Sequence, residues 1–376
     1  MHEAHELRDN TKKYHGKAVG KAIKNVNTTI RDSLVGKELD QEEIDNYLRM
    51  LDGTENKKKL GANAILGVSL AVSRAASAAH EMPLHSYIAK IAGTEEKLPL
   101  LFANVINGGV HAGNELMPQE FMIVSHAKQL EDRVRITSEV YQELKEVIAK
   151  KYGSQATSVG DEGGFAPPVK NCDEAFKLLT TAIKNAGYEG KISFAMDPAA
   201  SEFYDQKKKT YEIEKGKKIS GEELISYWVK LLKKYPIMSI EDPFAEDDFA
   251  SWNSFMQELE KKDNDYFAYG KAPQVVGDDL TVSNPERIAL AAEKGLCNSL
   301  LLKVNQIGTL SEAIDATTIA LDAGWTVMVS HRSGETEDPY IADLAVGLGT
   351  GQIKIGAPCR SDRTAKYNQL LRISSE

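Results

Sequence analysis

Cysteine is scarce in this chain of 376 residues: Cys172, Cys297 and Cys359 are its only three, far apart and odd in number. That usage excludes a disulfide framework and a cysteine metal site, and it points to a reducing, cytoplasmic setting. No uninterrupted apolar run approaches about 20 residues, so the sequence offers no membrane span. The opening stretch, Met1-His2-Glu3-Ala4-His5-Glu6-Leu7-Arg8-Asp9, is polar and has no signal-peptide apolar region. Basic charge is also short. Against 55 Asp+Glu stand 46 Lys+Arg, giving −9 and a pI near 5.6, which argues against a nucleic-acid backbone as the main partner. No Gly-x-Gly-x-x-Gly fingerprint follows any strand candidate, so a dinucleotide-binding open sheet lacks its usual mark.

What is present suits a soluble globular protein with a large core: 42% of residues are apolar and 27% charged. The length points to two domains, or to one barrel plus a smaller piece. Residues 1–97 read as helical, with an alanine-rich segment from Lys58 to His80 closed by Pro83. From Leu98 onward strands and helices alternate. Strand candidates are Leu101–Ile106, Phe121–Val124, Ile192–Met196, Ile237–Ile240, Gln274–Val276, Leu300–Val304, Thr326–Val329 and Gln352–Ile355. Amphipathic helices fall between them at Asp173–Ala186, Gly221–Tyr235, Pro285–Gly295 and Ser311–Leu321. This α/β alternation predicts a closed β/α barrel over 98–376, with a doubly wound open sheet as the alternative. The glycine-rich stretch Asn107–Asn114 has the composition of a lid loop, and Asp205–Ser220 that of an exposed hairpin with solvated lysines.

Acids recur at the expected strand ends. Asp197, Glu241 and Asp278 each follow a strand candidate, about one strand–helix–strand unit apart. In a β/α barrel these ends meet at one mouth, where active sites lie. Converging carboxylates repel one another, and an oxygen-only donor set suits Mg²⁺. Helix caps and loop acids are the alternative for any one of them. Lys303 lies in the apolar run Ser299–Gly308, where burial demands a partner and shifts the lysine pKa. Lys354 is a second lysine in an apolar strand. Arg332 and Ser333 follow another strand end with phosphate-binding donors, beside His331. Glu120 opens a strand, and Glu162 lies in the tight turn Gly160–Gly164. The set fits proton abstraction next to a carboxylate.

The segment Leu300-Leu301-Leu302-Lys303-Val304-Asn305-Gln306-Ile307-Gly308-Thr309-Leu310-Ser311-Glu312 resembles the signature of the enolases, the phosphopyruvate hydratases of glycolysis. So do Asn107–Asn114, Gln119–Ile123, Gly160–Gly164, Ser239–Asp248 and Ser330–Glu335, and the resemblance runs from about His2 to about Arg372. It implies an enolase-type barrel under a smaller α+β capping domain, 1–97, and a Mg²⁺-dependent, reversible dehydration of 2-phosphoglycerate to phosphoenolpyruvate. By resemblance, Asp197, Glu241 and Asp278 bind Mg²⁺ and Lys303 takes the C2 proton. Glu162 with Glu120 helps the C3 hydroxyl leave, Lys354 contacts the substrate carboxylate, Arg332 and Ser333 the phosphate. His111 and His331 match active-site histidines. A homodimer is also implied. Family chains begin with roughly 40 further residues, including a loop serine for a second Mg²⁺, so the resemblance makes residues 1–97 a truncated domain. Another superfamily lyase or racemase, and a catalytically impaired relative serving as a binding or scaffold protein, are the other readings.

Overall fold

The first barrel strand, β1 (Leu100–Asn107), is buried along nearly its whole length. Burial on both faces marks a strand with helices outside it and a filled barrel inside. It is followed by β2 (Glu120–Ser125) and β3 (Ile192–Asp197), then by β4 (Tyr204–Asp205), β5 (Thr210–Glu214) and β6 (Lys217–Ile219), which form a separate three-stranded sheet. Next come β7 (Ile237–Glu241), β8 (Gln274–Gly277), β9 (Ser299–Leu302), β10 (Thr326–Ser330) and β11 (Gln352–Lys354). This computed structural model describes residues 3–109, 112–261 and 267–376.

Eight strands close into a barrel in the order β1-β11-β10-β9-β8-β7-β3-β2. The expected closed barrel is therefore present, with one departure from simple alternation. β2 runs antiparallel to both β1 and β3, pairing Asn107 with Glu120 and Glu120 with Asp197. The β1–β2 connection is a loop rather than a helical crossover, so the chain returns beside β1 in the opposite direction. A second correction concerns Lys303, expected within a strand. β9 ends at Leu302, and Lys303 is the N-cap of a short helix, Val304–Ile307, that Gly308 closes with φ +106°.

Alternate strand residues point inward. Phe102, Met122, Val124, Ala195, Val276, Leu301 and Met328 fill the barrel, while the opposite faces join the larger core beneath the helices. Helices Leu130–Tyr152, Phe249–Leu259, Tyr340–Gly347 and Ser361–Ile373 are additional to those expected. In β5 only Tyr211 and Ile213 are buried; the surrounding lysines are on the surface.

Among the described residues before Leu98 there are helices and no strand. Their own apolar cluster gathers Ile44, Leu48, Leu60, Ile65 and Val72. Helix Ala62–Ala79 is long and apolar enough, by composition, to cross a membrane. In this fold its serines bind the barrel instead: Ser69 Oγ accepts from Leu310 N (2.9 Å), and Ser73 Oγ lies 2.8 Å from the Tyr340 hydroxyl. Buried Lys57 pairs with Glu312 at 2.9 Å across the same boundary.

Candidate active site

Strand ends deliver titratable side chains to one rim. Asp197, Glu241 and Lys354 are the last residues of β3, β7 and β11. Asp278, Lys303 and His331 directly follow β8, β9 and β10. Glu120 reaches the same rim as the first residue of β2, because that strand runs the other way. Glu162 comes from the Gly160–Gly164 turn, closed by Gly160 N donating to Gly164 O at 2.8 Å.

Lys354 gathers the carboxylates. Its Nζ donates to Asp197 Oδ2 (3.0 Å) and to both Glu241 oxygens (2.8 and 2.9 Å), and pairs with Glu120 Oε2 at 3.1 Å. Burial lowers the Lys354 pKa, yet the carboxylates around it win and hold it well above the ordinary lysine value. The negative charge is still incompletely balanced. Glu241 is raised well above the carboxylate range by burial and by the Asp197 charge, and Glu120 by burial and by Glu162.

Lys303 forms an ion pair with Asp278 Oδ2. Burial opposes its charge, but Asp278 outweighs burial and raises its pKa, so the lysine is held protonated in this pair. Across the rim, Glu162 Oε2 accepts from Asn104 Nδ2 (2.9 Å) and lies 3.3 Å from His331 Nε2. Arg332 and Ser333 are half-buried beside His331, with Arg332 Nη1 donating to Asn305 Oδ1 at 3.2 Å. His111 lies outside the described residues.

The tightest three-carboxylate cluster among the described residues is not the expected trio but Asp242, Asp278 and Asp279, with ligand atoms within 4.8 Å of one another. Both Asp242 oxygens are already occupied: they accept Asp278 N and Asp279 N at 2.9 and 2.8 Å. Asp242 thus braces the turn that presents Asp278. A groove of about 1340 Å³ lined by Arg49, Lys57 and Arg287 extends to Gln306, whose amide bonds Asp278 at this rim.

Several supporting residues carry no local sequence signal. Gln306 Nε2 donates to Asp278 Oδ1 (3.2 Å) and to Glu3 Oε1 (2.9 Å), and Ser283 Oγ accepts from Lys303 N (2.8 Å). Arg363, fully buried, donates to three backbone carbonyls around the rim and to His331. A buried arginine late in the chain is a detectable oddity, but the rim groups it donates to lie at least 30 positions away.

Fold and rim together define a β/α-barrel protein with an acid–base site, in which buried carboxylates are crossed by two lysines. The family profile described as "Enolase, C-terminal TIM barrel domain" matches residues 95–376, and the one described as "Enolase, N-terminal domain" matches residues 1–88. The chain is similar to Enolase 1 of Entamoeba histolytica, with 53% identity over 391 aligned positions, covering all of this chain and 87% of that protein. The chain belongs to the enolase family.

Proposed function

We propose that this chain dehydrates 2-phosphoglycerate to phosphoenolpyruvate, reversibly, as a Mg²⁺-dependent hydro-lyase of glycolysis and gluconeogenesis. The observation that carries the reading is an opposition across the barrel. Lys303 follows β9 and Glu120 opens β2, and these strands are four places apart in the eight-strand ring, so a base and an acid pair face each other over the mouth.

The donors fit Mg²⁺. Asp197, Glu241 and Asp278 offer only carboxylate oxygens, and the Lys354 and Lys303 ammonium groups already stand among them as partial counter-charge. These three acids would hold the ion, which when bound supplies positive charge to a substrate carboxylate as that group gains negative charge.

The chain's own residues perform the rest. Lys303, as the free amine, takes the C2 proton; this form requires that its ion pair with Asp278 open. The C2–H electron pair becomes the C2–C3 double bond, the C3–O bond breaks, and the hydroxyl leaves as water with a proton from the Glu120–Glu162 pair. The raised Glu120 pKa supports a proton being stored there. Lys354 answers the substrate carboxylate, and Arg332 with Ser333 the phosphate. His331 stands beside Glu162, its Nε2 3.3 Å from the carboxylate. His111 is assigned to substrate binding by motif alone.

The test is direct: mix the purified chain with 2-phosphoglycerate and Mg²⁺ and follow phosphoenolpyruvate absorbance. No Mg²⁺-dependent rise from folded protein would overturn the proposal and favour a binding or scaffold role. We further infer a division into a capping domain, 1–97, and a catalytic barrel, 98–376, supported by the separate cluster around Leu48 and Ile65. A cytoplasmic setting, supported by three unpaired cysteines, and a homodimer, to be checked by light scattering, complete the reading.

A further inference from the structure

We propose that Arg363 is a positioning residue that fixes the tautomer of His331 and thereby keeps the ring proton on Nε2, the nitrogen beside Glu162. The role in catalysis rests on the function proposed above; the tautomer does not.

The argument starts from what a guanidinium can do. Arginine is always protonated and has five donors and no acceptor. Arg363 is fully buried, and its Nη1 is bonded to His331 Nδ1. Since the arginine can only donate, Nδ1 must accept, and the ring proton is confined to Nε2. That nitrogen lies 3.3 Å from Glu162 Oε2, is buried and makes no hydrogen bond of its own, so its proton is free to turn to Glu162 or to a bound substrate. A neutral ring is consistent with the His331 pKa, which burial lowers.

The same guanidinium ties together the segments that carry the site. Nη1 donates to Arg332 O at 2.6 Å, and Nη2 donates to Ser333 O at 2.7 Å and Asp161 O at 3.1 Å. One planar fork therefore spans the turn bearing Glu162 and the segment bearing Arg332 and Ser333. Asp362 Oδ2 lies 3.2 Å from Nε. The junction is tight. Gly356 has φ +79°, and a Cβ there would lie 2.8 Å from Arg363 Cδ, 3.0 Å from Glu162 O and 3.0 Å from His331 Cε1.

Lysine preserves the charge but offers a single ammonium, which cannot reach Nδ1 and the carbonyls on both segments together. The experiment has two parts. First, ¹⁵N-labelled histidine in the full wild-type chain is observed by long-range ¹H–¹⁵N NMR, with the His331 signals among the eight histidines assigned from a His331→Gln sample. Nδ1 is expected to appear unprotonated and Nε2 protonated; the reverse tautomer would overturn the proposal. Second, Arg363→Lys is expected to turn the fixed tautomer into a mixture and to lower kcat by about 100-fold, with KM for 2-phosphoglycerate moving less than kcat. A folded Arg363→Lys with the wild-type His331 spectrum and kcat within about twofold of wild type would also overturn it. If that variant does not fold, the wild-type spectrum decides. An inactive wild type with the expected tautomer would count against the reaction and leave the tautomer assignment standing.

Discussion

Lys354 and Glu241 sit on strands that face each other across the barrel, and their side chains meet over its mouth, 2.8 Å apart. The lysine thus reaches over the middle of the ring and holds Asp197 and Glu120 in the same contact. This central pairing frames the first prediction.

Lys354→Met should leave three buried carboxylates without their counter-charge. Breaking a buried ion pair from one side costs about 3–5 kcal/mol, so the Mg²⁺-free variant should unfold well below wild type. Mg²⁺ should recover part of that difference, and more in the variant than in wild type, because a cation there replaces the lost charge. Thermal denaturation with and without Mg²⁺ checks this, and an equal Mg²⁺ response in both proteins would count against it.

Lys303→Ala should lower kcat for the dehydration by about 10²–10⁴-fold, the usual range for a lost general base. Calorimetric Mg²⁺ binding should survive, since Asp197, Glu241 and Asp278 are untouched. Turnover within about tenfold of wild type would remove Lys303 from the role of base.

Glu312→Ala should strand the Lys57 ammonium, which is only 5% exposed and pairs with Glu312 at 2.9 Å. The expected loss is about 3 kcal/mol in urea unfolding. Because this pair joins the N-terminal helices to the barrel, limited proteolysis should cut the variant first before residue 98. Unchanged proteolysis would show that the serine contacts of helix Ala62–Ala79 suffice.

Acid pH should expose the cluster around Asp173. Lys177 and Lys234 are the main cause holding its carboxyl well below the usual range, and the Tyr235 hydroxyl adds a 2.8 Å hydrogen bond. A depressed folded pKa gives stability that is complete above the unfolded value of about 3.9 and lost as pH falls below it. Asp173 is half-buried, but both lysine partners are exposed and solvent screens the pairs, so the contribution stays under about 1 kcal/mol. Asp173→Asn should therefore melt slightly below wild type at pH 6, with the gap closing toward about pH 2. A gap that persists at low pH would assign the effect to packing.

Thiol labelling should find one reactive cysteine in the native chain. Burial pushes Cys172 up to about 12 and also raises Cys297, while Cys359 is half-buried. Denatured protein should label at all three, and native labelling at Cys172 would contradict the burial described.

The barrel was legible because its signals are local. Periodicity and glycine or proline stops marked β3 and the helix Gly221–Lys234 within one or two residues, and the acids at Asp197, Glu241 and Asp278 lay where those strands stop. The direction of β2 was not legible, since a strand reads alike in either direction. Pairing with β1 and β3 alone decides it. The placement of Lys303 failed for a related reason. The apolar run continues past Leu302 into Val304 and Ile307, and only the turn of the backbone separates β9 from the helix that follows.

By itself the sequence determined the class of fold, the residues able to do acid–base and metal chemistry, and the family they resemble, because strand ends, charged side chains and motifs are properties of neighbours in the chain. Tertiary structure alone decided which charges meet. Lys354 reaches Glu241 across the ring, Asp242 braces the Asp278 turn, and Arg363 holds His331, since a hydrogen bond between residues far apart in sequence depends on strand order and register, which no single segment encodes.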